Sequence, residues 1–394
     1  MIKQKINNFF ILFLYRLIKI LCFRLLYDTF VYKLFRSHKI SNIIDSTKKY
    51  RLVVCHNGGG GTVSYMKNKY FDLPDVLVLR NAVTADKDYL YSLENIEIQK
   101  KVYIKPGQLK QVNSIINEIN IVAVESYMSL AFILPWFASL GVPITYDIHD
   151  YHCIWYETHF IHKGRYLTKN ELEKSVLKYG GTKISFRQWH QFWVDFFPNV
   201  QLINAFSTSS KQIFTEYYPE FADKVVVTPH SLDYIKCGRL HALPEEFTIG
   251  IFGIIRGADK GCNVVRSFLE YSKNKNYQIF LNGELNSDCK IEAQNIHYYG
   301  RYDVNNLDKV IEDQGISCVL FPSICPETFS YTVSELIHVG VPVACFNFGA
   351  QAEKVGQYEM GQIIKDFSNE EILITLKAVH QKGVEYYAKK NAEA

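Results

Sequence analysis

The chain has 394 residues, 48% of them hydrophobic and 21% charged, which is too much for one ordinary core and suits two domains of roughly 150–200 residues each. The net charge of +4 is unevenly held: residues 1–50 carry ten Lys/Arg against Asp28 and Asp45, and the rest carries 34 basic and 38 acidic groups. That distribution excludes a general nucleic-acid-binding surface. The nine cysteines form no CxxC pair and lie mostly inside apolar runs such as LVVC and VPVAC, so they read as free, buried thiols in a reducing compartment.

The first segment, residues 1–50, contains NNFFILFLYRLIKILCFRLLY, in which Arg16, Lys19 and Arg24 interrupt the apolar run and no small-residue cleavage site follows. It therefore suits neither a secretory signal nor a spanning helix. On a helix the three charges share one arc of roughly 140° and leave Leu14, Leu17, Leu21 and Leu25 to other directions. Two readings are open: a helix lying on a membrane surface through residues 1–36, or one packed on protein. Lys33, Arg36 and Lys39 favour an anionic leaflet.

From residue 51 short apolar runs alternate with amphipathic ones. RLVVC (51–55), DVLVLR (75–80), INIVAVES (119–126), VPITYDIH (142–149), VQLINAF (200–206) and KVVVTPH (224–230) are expected strands, with helices over 107–118 and 208–217. Residues 155–195 break the rhythm as an inserted helical segment, either a solvated flap or an acceptor-facing one through Arg165, Arg187 and its aromatics. An irregular connection over 232–246 precedes a second alternation: FTIGIFG (247–253), YQIFLNG (277–283), NIHYYG (295–300), SCVLFPS (317–323) and VPVACFN (341–347), closed by a helix from Asn369 to about Lys390. The expected architecture is α/β, with two Rossmann-like, doubly wound domains facing a cleft, over residues 51–240 and 241–394.

The motifs fall at strand ends. HNGGGGTVSYM places Gly58, Gly59, Gly60 and Gly61 between a strand and a helix, and the absence of a following Lys-Ser/Thr excludes a Walker loop. YDIHDYHCIWYETHFIH holds His149, His152, His159 and His162; two HxxH spacings admit zinc, although a strand-to-loop context suits no usual metal scaffold. FTIGIFGIIRGADKG brings Arg256 and Lys260 to a glycine-containing loop, where fixed cations suit a developing negative charge. TPHS puts His230 after the last strand of the first domain, as a cleft or hinge residue or a satisfied buried histidine. In CPETFSYTVSELIHVG, Glu327 and Glu335 stand eight positions apart, and a helix running from about Thr328 to Gly340 would separate them by about 12 Å.

These elements, in this order over most of residues 51–393, resemble retaining glycosyltransferase family 4, enzymes of the GT-B fold with an E-x7-E motif. The flavour is nearest to bacterial O-antigen and polysaccharide rhamnosyl- and mannosyltransferases. The resemblance implies that Glu335 holds donor ribose hydroxyls and that Glu327 contacts the donor sugar. Arg256, Lys260, Gly253 and the amides of Thr328 and Phe329 would serve the diphosphate, while His149 and Asp150 approach sugar and acceptor.

The same resemblance implies sugar transfer with retention from a nucleotide-sugar donor to a glycan or polyprenyl-diphosphate-linked acceptor. The setting would be the cytoplasmic face of the inner membrane, with no cofactor and no metal; the chain has no DxD on a suitable loop. Two other readings stand beside it, a catalytically idle GT-B domain binding a nucleotide sugar or a partner, and a nucleotide-sugar epimerase on the same fold.

Overall fold

The computed structural model describes residues 39–56, 61–82, 90–124, 130–179 and 182–393. The basic segment of residues 1–36 and the glycines Gly58, Gly59 and Gly60 lie outside them. No described helix is long and apolar enough to cross a membrane.

The first α/β region contains β1 (Tyr50–Val54), α1 (Gly61–Tyr70), β2 (Val76–Ala82), β3 (Leu90–Asn95), β4 (Lys100–Ile104), β5 (Ile116–Ile121), α2 (Leu130–Ser139) and β6 (Ile144–Asp147). The chain continues through β7 (Ile161–His162), β8 (Arg165–Tyr166), α3 (Lys169–Glu173), β9 (Val176–Tyr179), β10 (Thr182–Ser185), α4 (Phe186–Phe196), β11 (Leu202–Ala205), α5 (Thr208–Tyr217) and β12 (Val225–Val227). The first sheet runs β12-β11-β6-β5-β1-β2-β3-β4. β6, β5, β1 and β2 are parallel, as the buried apolar runs predict, and Val53, Val76, Val78 and Val122 pack with Met66 and Tyr70 of α1.

Two expectations are corrected here. The sheet is not wholly parallel, because β3 and β4 return antiparallel to β2. β4 at the edge and β3 beside it carry polar residues such as Glu94, Lys100 and Lys101, which hid them from a search for continuous apolar runs. The helix expected over 107–118 is a 3-10 segment, Pro106–Ile115, followed at once by β5. Pro106 starts that segment well, and β-branched Ile115, Ile116, Ile119 and Ile121 then favour the extended form.

The second region contains β13 (Thr248–Ile255), α6 (Cys262–Ser272), β14 (Gln278–Leu285), β15 (Ile296–Gly300), α7 (Leu307–Asp313), β16 (Cys318–Phe321), α8 (Tyr331–Val339), β17 (Val343–Phe346), α9 (Gly349–Gln357), β18 (Gly361–Ile364) and α10 (Asn369–Glu393). All six strands pair in parallel, in the order β15-β14-β13-β16-β17-β18. In chain order that is 3-2-1-4-5-6, the doubly wound arrangement whose order reverses between β13 and β16. Alternate residues feed opposite faces: Cys318 and Leu320 join Ile249, Phe268 and Leu376 on one side, while Val319 and Phe321 join Leu336, Val341 and Val355 on the other.

Compactness divides the described chain into one unit running to His152 plus Gln191–Ile203, and another comprising Cys153–His190 and Asn204 onward. Residues 155–190 thus belong with the second unit. They are not a solvated flap, since Trp155, Phe160, Leu167, Leu172, Phe186 and Trp189 are all buried. The cysteine reading is corrected in one place: Cys262 and Cys289 are disulfide-bonded, with Cα atoms 5.8 Å apart. Cys237, Cys318, Cys325 and Cys345 are free and buried, and Cys55 and Cys153 are buried as well.

Candidate functional site

In a doubly wound sheet, ligands sit beyond the carboxyl ends of the strands where the order reverses. The two loops at that point in the second unit follow β13 and β16, and they bring Lys260 and Glu327 together, Nζ to Oε1 at 2.6 Å. Burial alone would push the Lys260 ammonium down, but the Glu327 charge and hydrogen bond hold it up. Burial likewise pushes the Glu327 carboxyl up, and Lys260, the Ser330 hydroxyl and His159 outweigh it and hold the carboxyl down. The pair is therefore ionised, with side chains 36% and 15% exposed.

Each loop has a local reason for its shape. Gly261 caps α6 with φ +80°, and a Cβ there would lie 2.0 Å from the Pro322 carbonyl oxygen, so the lysine loop can lie against the β16 loop only with glycine after Lys260. The Glu327 loop is clamped from α9. Gln351, fully buried, donates to the Cys325 carbonyl at 2.6 Å and accepts from the Glu327 amide at 3.1 Å, and the Ala350 amide donates to the Glu327 carbonyl. Gly349 makes this approach possible, since a Cβ would meet the Glu327 backbone nitrogen at 2.6 Å. Sequence reasoning missed Gln351; the available signal was a lone amide at the start of a helix following a fully apolar strand.

α8 starts later than expected. Ser330, at φ +60° and ψ 81°, lies outside helical geometry, so the helix begins at Tyr331 and Glu327, Thr328 and Phe329 precede it in a loop. The helical rise inferred between the two acids therefore does not apply. Thr328 offers its carbonyl to the Ser210 hydroxyl, and Phe329 is buried. Glu335, inside α8, accepts from the Tyr234 hydroxyl at 2.7 Å and from Tyr302. Burial raises its carboxyl above the ordinary value in spite of those two bonds.

The remaining expected residues are dispersed. Arg256 is turned to Glu284, which also binds Arg301. Gly253 pairs with Gly283 between β13 and β14 and lines a small cavity of about 110 Å³ with Asn282, Tyr298 and Gly300. In the first unit, His149 follows β6 with its ring 4.5 Å from that of Tyr65, whose hydroxyl donates to buried Asp147. Asp150 accepts from the His152 amide. His152 is buried and pushed down to about 4 by burial, which marks it as a neutral core residue. His230 is stacked between Phe206 and Tyr331. Gly61 opens α1.

A second lysine has no counterpart in the sequence reading. Lys354 of α9 lays its Nζ 3.3 Å from the Phe329 ring centre and donates to the Ser334 hydroxyl. Burial pushes its ammonium down to about 8 from 10.5, against the pull of Glu353 and Glu327. Below pH 8 the folded protein carries the full cost of this buried charge. Between about 8 and 10.5 it releases the proton before the unfolded chain does, and stability rises. Lys354→Met is accordingly expected to stabilise the protein at pH 7 by about 1–3 kcal/mol, with the gain fading toward pH 10.5. Thermal melts at pH 7 and pH 10 check this, and an equal gain at both would refute it.

No protein-family model matches the chain, and no curated protein matches it in sequence. Among solved structures it is similar to HepE of Anabaena in complex with UDP-glucose, at a TM-score of 0.55 and 14% identity over 86% of this chain and 94% of that one. It is also similar to sucrose-phosphate synthase of Thermosynechococcus elongatus, at 0.52 and 11% over 87% and 94%. At such identities the likeness is one of fold, and the two Rossmann-like units of the GT-B fold are those of this chain.

Proposed function

We propose that this protein is a glycosyltransferase of the retaining, metal-independent kind, moving a sugar from a nucleotide-sugar donor to a glycan or lipid-linked acceptor in bacterial surface-polysaccharide synthesis. The observation that carries the reading is the ionised Lys260–Glu327 pair at the order reversal of a 3-2-1-4-5-6 sheet, with Glu335 on the helix that follows. HepE, which shares the fold, was solved with UDP-glucose.

In this reading Lys260 stabilises the departing diphosphate, whose charge grows as the sugar–phosphate bond breaks. Glu327 meets the sugar, Glu335 accepts from ribose hydroxyls, and the diphosphate itself takes the acceptor proton. Arg256, Gly253, Thr328 and Phe329 line the donor side. His149 approaches the donor sugar and acceptor, Asp150 orients it or binds the acceptor, and the glycines Gly58 to Gly61 lie near the donor phosphates or the acceptor. No cofactor takes part.

The test is incubation of the purified protein with GDP-, dTDP- and UDP-linked sugars and polyprenyl-diphosphate-linked acceptors. Release of a nucleoside diphosphate together with an extended glycan is expected. Tight donor binding with no release under any pairing would support the idle, scaffold reading instead.

Membrane attachment is proposed to reside in residues 1–36, through the charges of Arg16, Lys19, Arg24, Lys33 and Arg36 and the apolar residues between them. Removing residues 1–36 is expected to leave a folded protein that no longer sediments with vesicles containing phosphatidylglycerol. Aggregation of the shortened chain would show instead that the segment packs on protein.

A further inference from the structure

We propose that His159, from the segment inserted ahead of the second sheet, is a second N–H donor of the Lys260 anion site and contacts the diphosphate of the donor directly. This rests on the reading of Lys260 given above.

The segment is seated on the lysine loop. Ile161 packs on the core of the second sheet, and the turn of the β7–β8 hairpin at Gly164 lies so close that a Cβ there would meet the Asn263 side chain at 3.1 Å and Ala258 at 3.8 Å. Just before that hairpin, His159 places Nδ1 3.0 Å from Oδ2 of Asp259, the neighbour of Lys260. The contact makes Nδ1–H the donor, and it leaves Nε2 as the remaining polar atom of a ring that is 39% exposed.

The ring is thus fixed by a carboxylate and still reachable from solvent, the condition for offering an N–H to a ligand. Asp259 is ionised: burial pushes its carboxyl up, but the His159 hydrogen bond and the charges of His159 and Lys260 hold it down. Glu327 also feels His159. His159, Asp259, Lys260 and Glu327 therefore share the reversal point. Arg256, the residue first expected to serve as the second cation, is committed to Glu284.

The same cluster has a competing use, because His159, Asp259 and Cys325 carry ligand atoms within 4.8 Å of one another. Three features favour the anion. His159 and Asp259 already bond directly, the buried Cys325 thiol is pushed up to about 12 by burial, and the Lys260 ammonium lies close enough to interact with it.

Calorimetric titration with inorganic pyrophosphate, UDP, GDP and the matching nucleosides decides the matter. His159→Gln should weaken pyrophosphate and nucleoside diphosphate binding at least about tenfold, leave nucleoside binding unchanged, and be largely restored by His159→Arg. A variant that merely loosened the fold would weaken nucleosides too, which would overturn the proposal. Unchanged pyrophosphate affinity in His159→Gln, with affinity lost in Lys260→Met/Glu327→Gln, would remove His159 and leave the donor site intact. Pyrophosphate affinity that survives in that double variant would sink the donor site itself. A cobalt(II) complex with a thiolate charge-transfer band abolished by Cys325→Ser would make His159 a metal ligand and overturn the inference.

Discussion

Lys260→Ala is expected to lower turnover about 10²- to 10³-fold, the loss seen when one charge-stabilising donor is removed from a transition state. The same change strands Glu327 without its cation. Stranding a buried charge is costly, and after discounting for the partial exposure of Lys260 a stability loss on the order of 2 kcal/mol is expected. The two effects separate in Lys260→Met/Glu327→Gln, which should recover much of the stability and none of the turnover. The native pair also predicts the direction of acid sensitivity. Because the Glu327 carboxyl is held down, its contribution is full above the ordinary carboxylate range and is lost as pH falls through its folded value. Nucleoside diphosphate release and thermal melts check both parts. A folded Lys260→Ala enzyme with near-native turnover would take Lys260 out of the mechanism.

Glu327→Gln and Glu335→Gln should fail differently. Glu327 sits in the loop beside Lys260, where charge redistributes, so its amide variant is expected to lose at least about a hundredfold in kcat with a smaller change in donor KM. Glu335 lies within α8, held by Tyr234 and Tyr302, and a nucleoside contact there would be similar in ground and transition states. Its variant should raise donor KM about tenfold and leave kcat nearly unchanged. Stability should respond in opposite senses. Burial raises the Glu335 carboxyl, so the folded state favours the neutral form below the unfolded value and loses that advantage as pH rises; at pH 8 Glu335→Gln should be no less stable than the native protein. Matching kinetic profiles in the two variants would end this division of labour, and full activity in both would end the glycosyltransferase reading.

Much of the second unit was legible because its strands are short, apolar and separated by helices of clear period, so β13, β16 and β17 stand out as buried runs. Lys260 and Glu327 could each be placed in a loop after a strand, but their pairing could not, because it depends on the sheet order that sets the β13 and β16 loops side by side. The start of α8 was not legible. Thr328, Phe329 and Ser330 carry no residue that forbids a helix, and only the tertiary clamp of Gln351 and the conformation of Ser330 hold them out of one. Strands β3 and β4 were hidden by their polar residues. The attachment of residues 155–190 was hidden for another reason: aromatic residues announce burial without saying which core receives them.

That attachment bears on how the chain is made. The second unit takes Cys153–His190 from upstream of Gln191–Ile203, which belong to the first. During synthesis Trp155, Phe160, Phe186 and Trp189 emerge from the ribosome before the roughly 200 further residues that complete their unit, which take about 10–40 s at ~5–20 residues per second. Neither unit can mature as an independent nascent domain, since each is interrupted by part of the other. The aromatic segment is where a holding chaperone would engage the growing polypeptide. A fragment beginning at residue 241 would contain the whole second sheet and still expose the surface that this earlier segment was built to close.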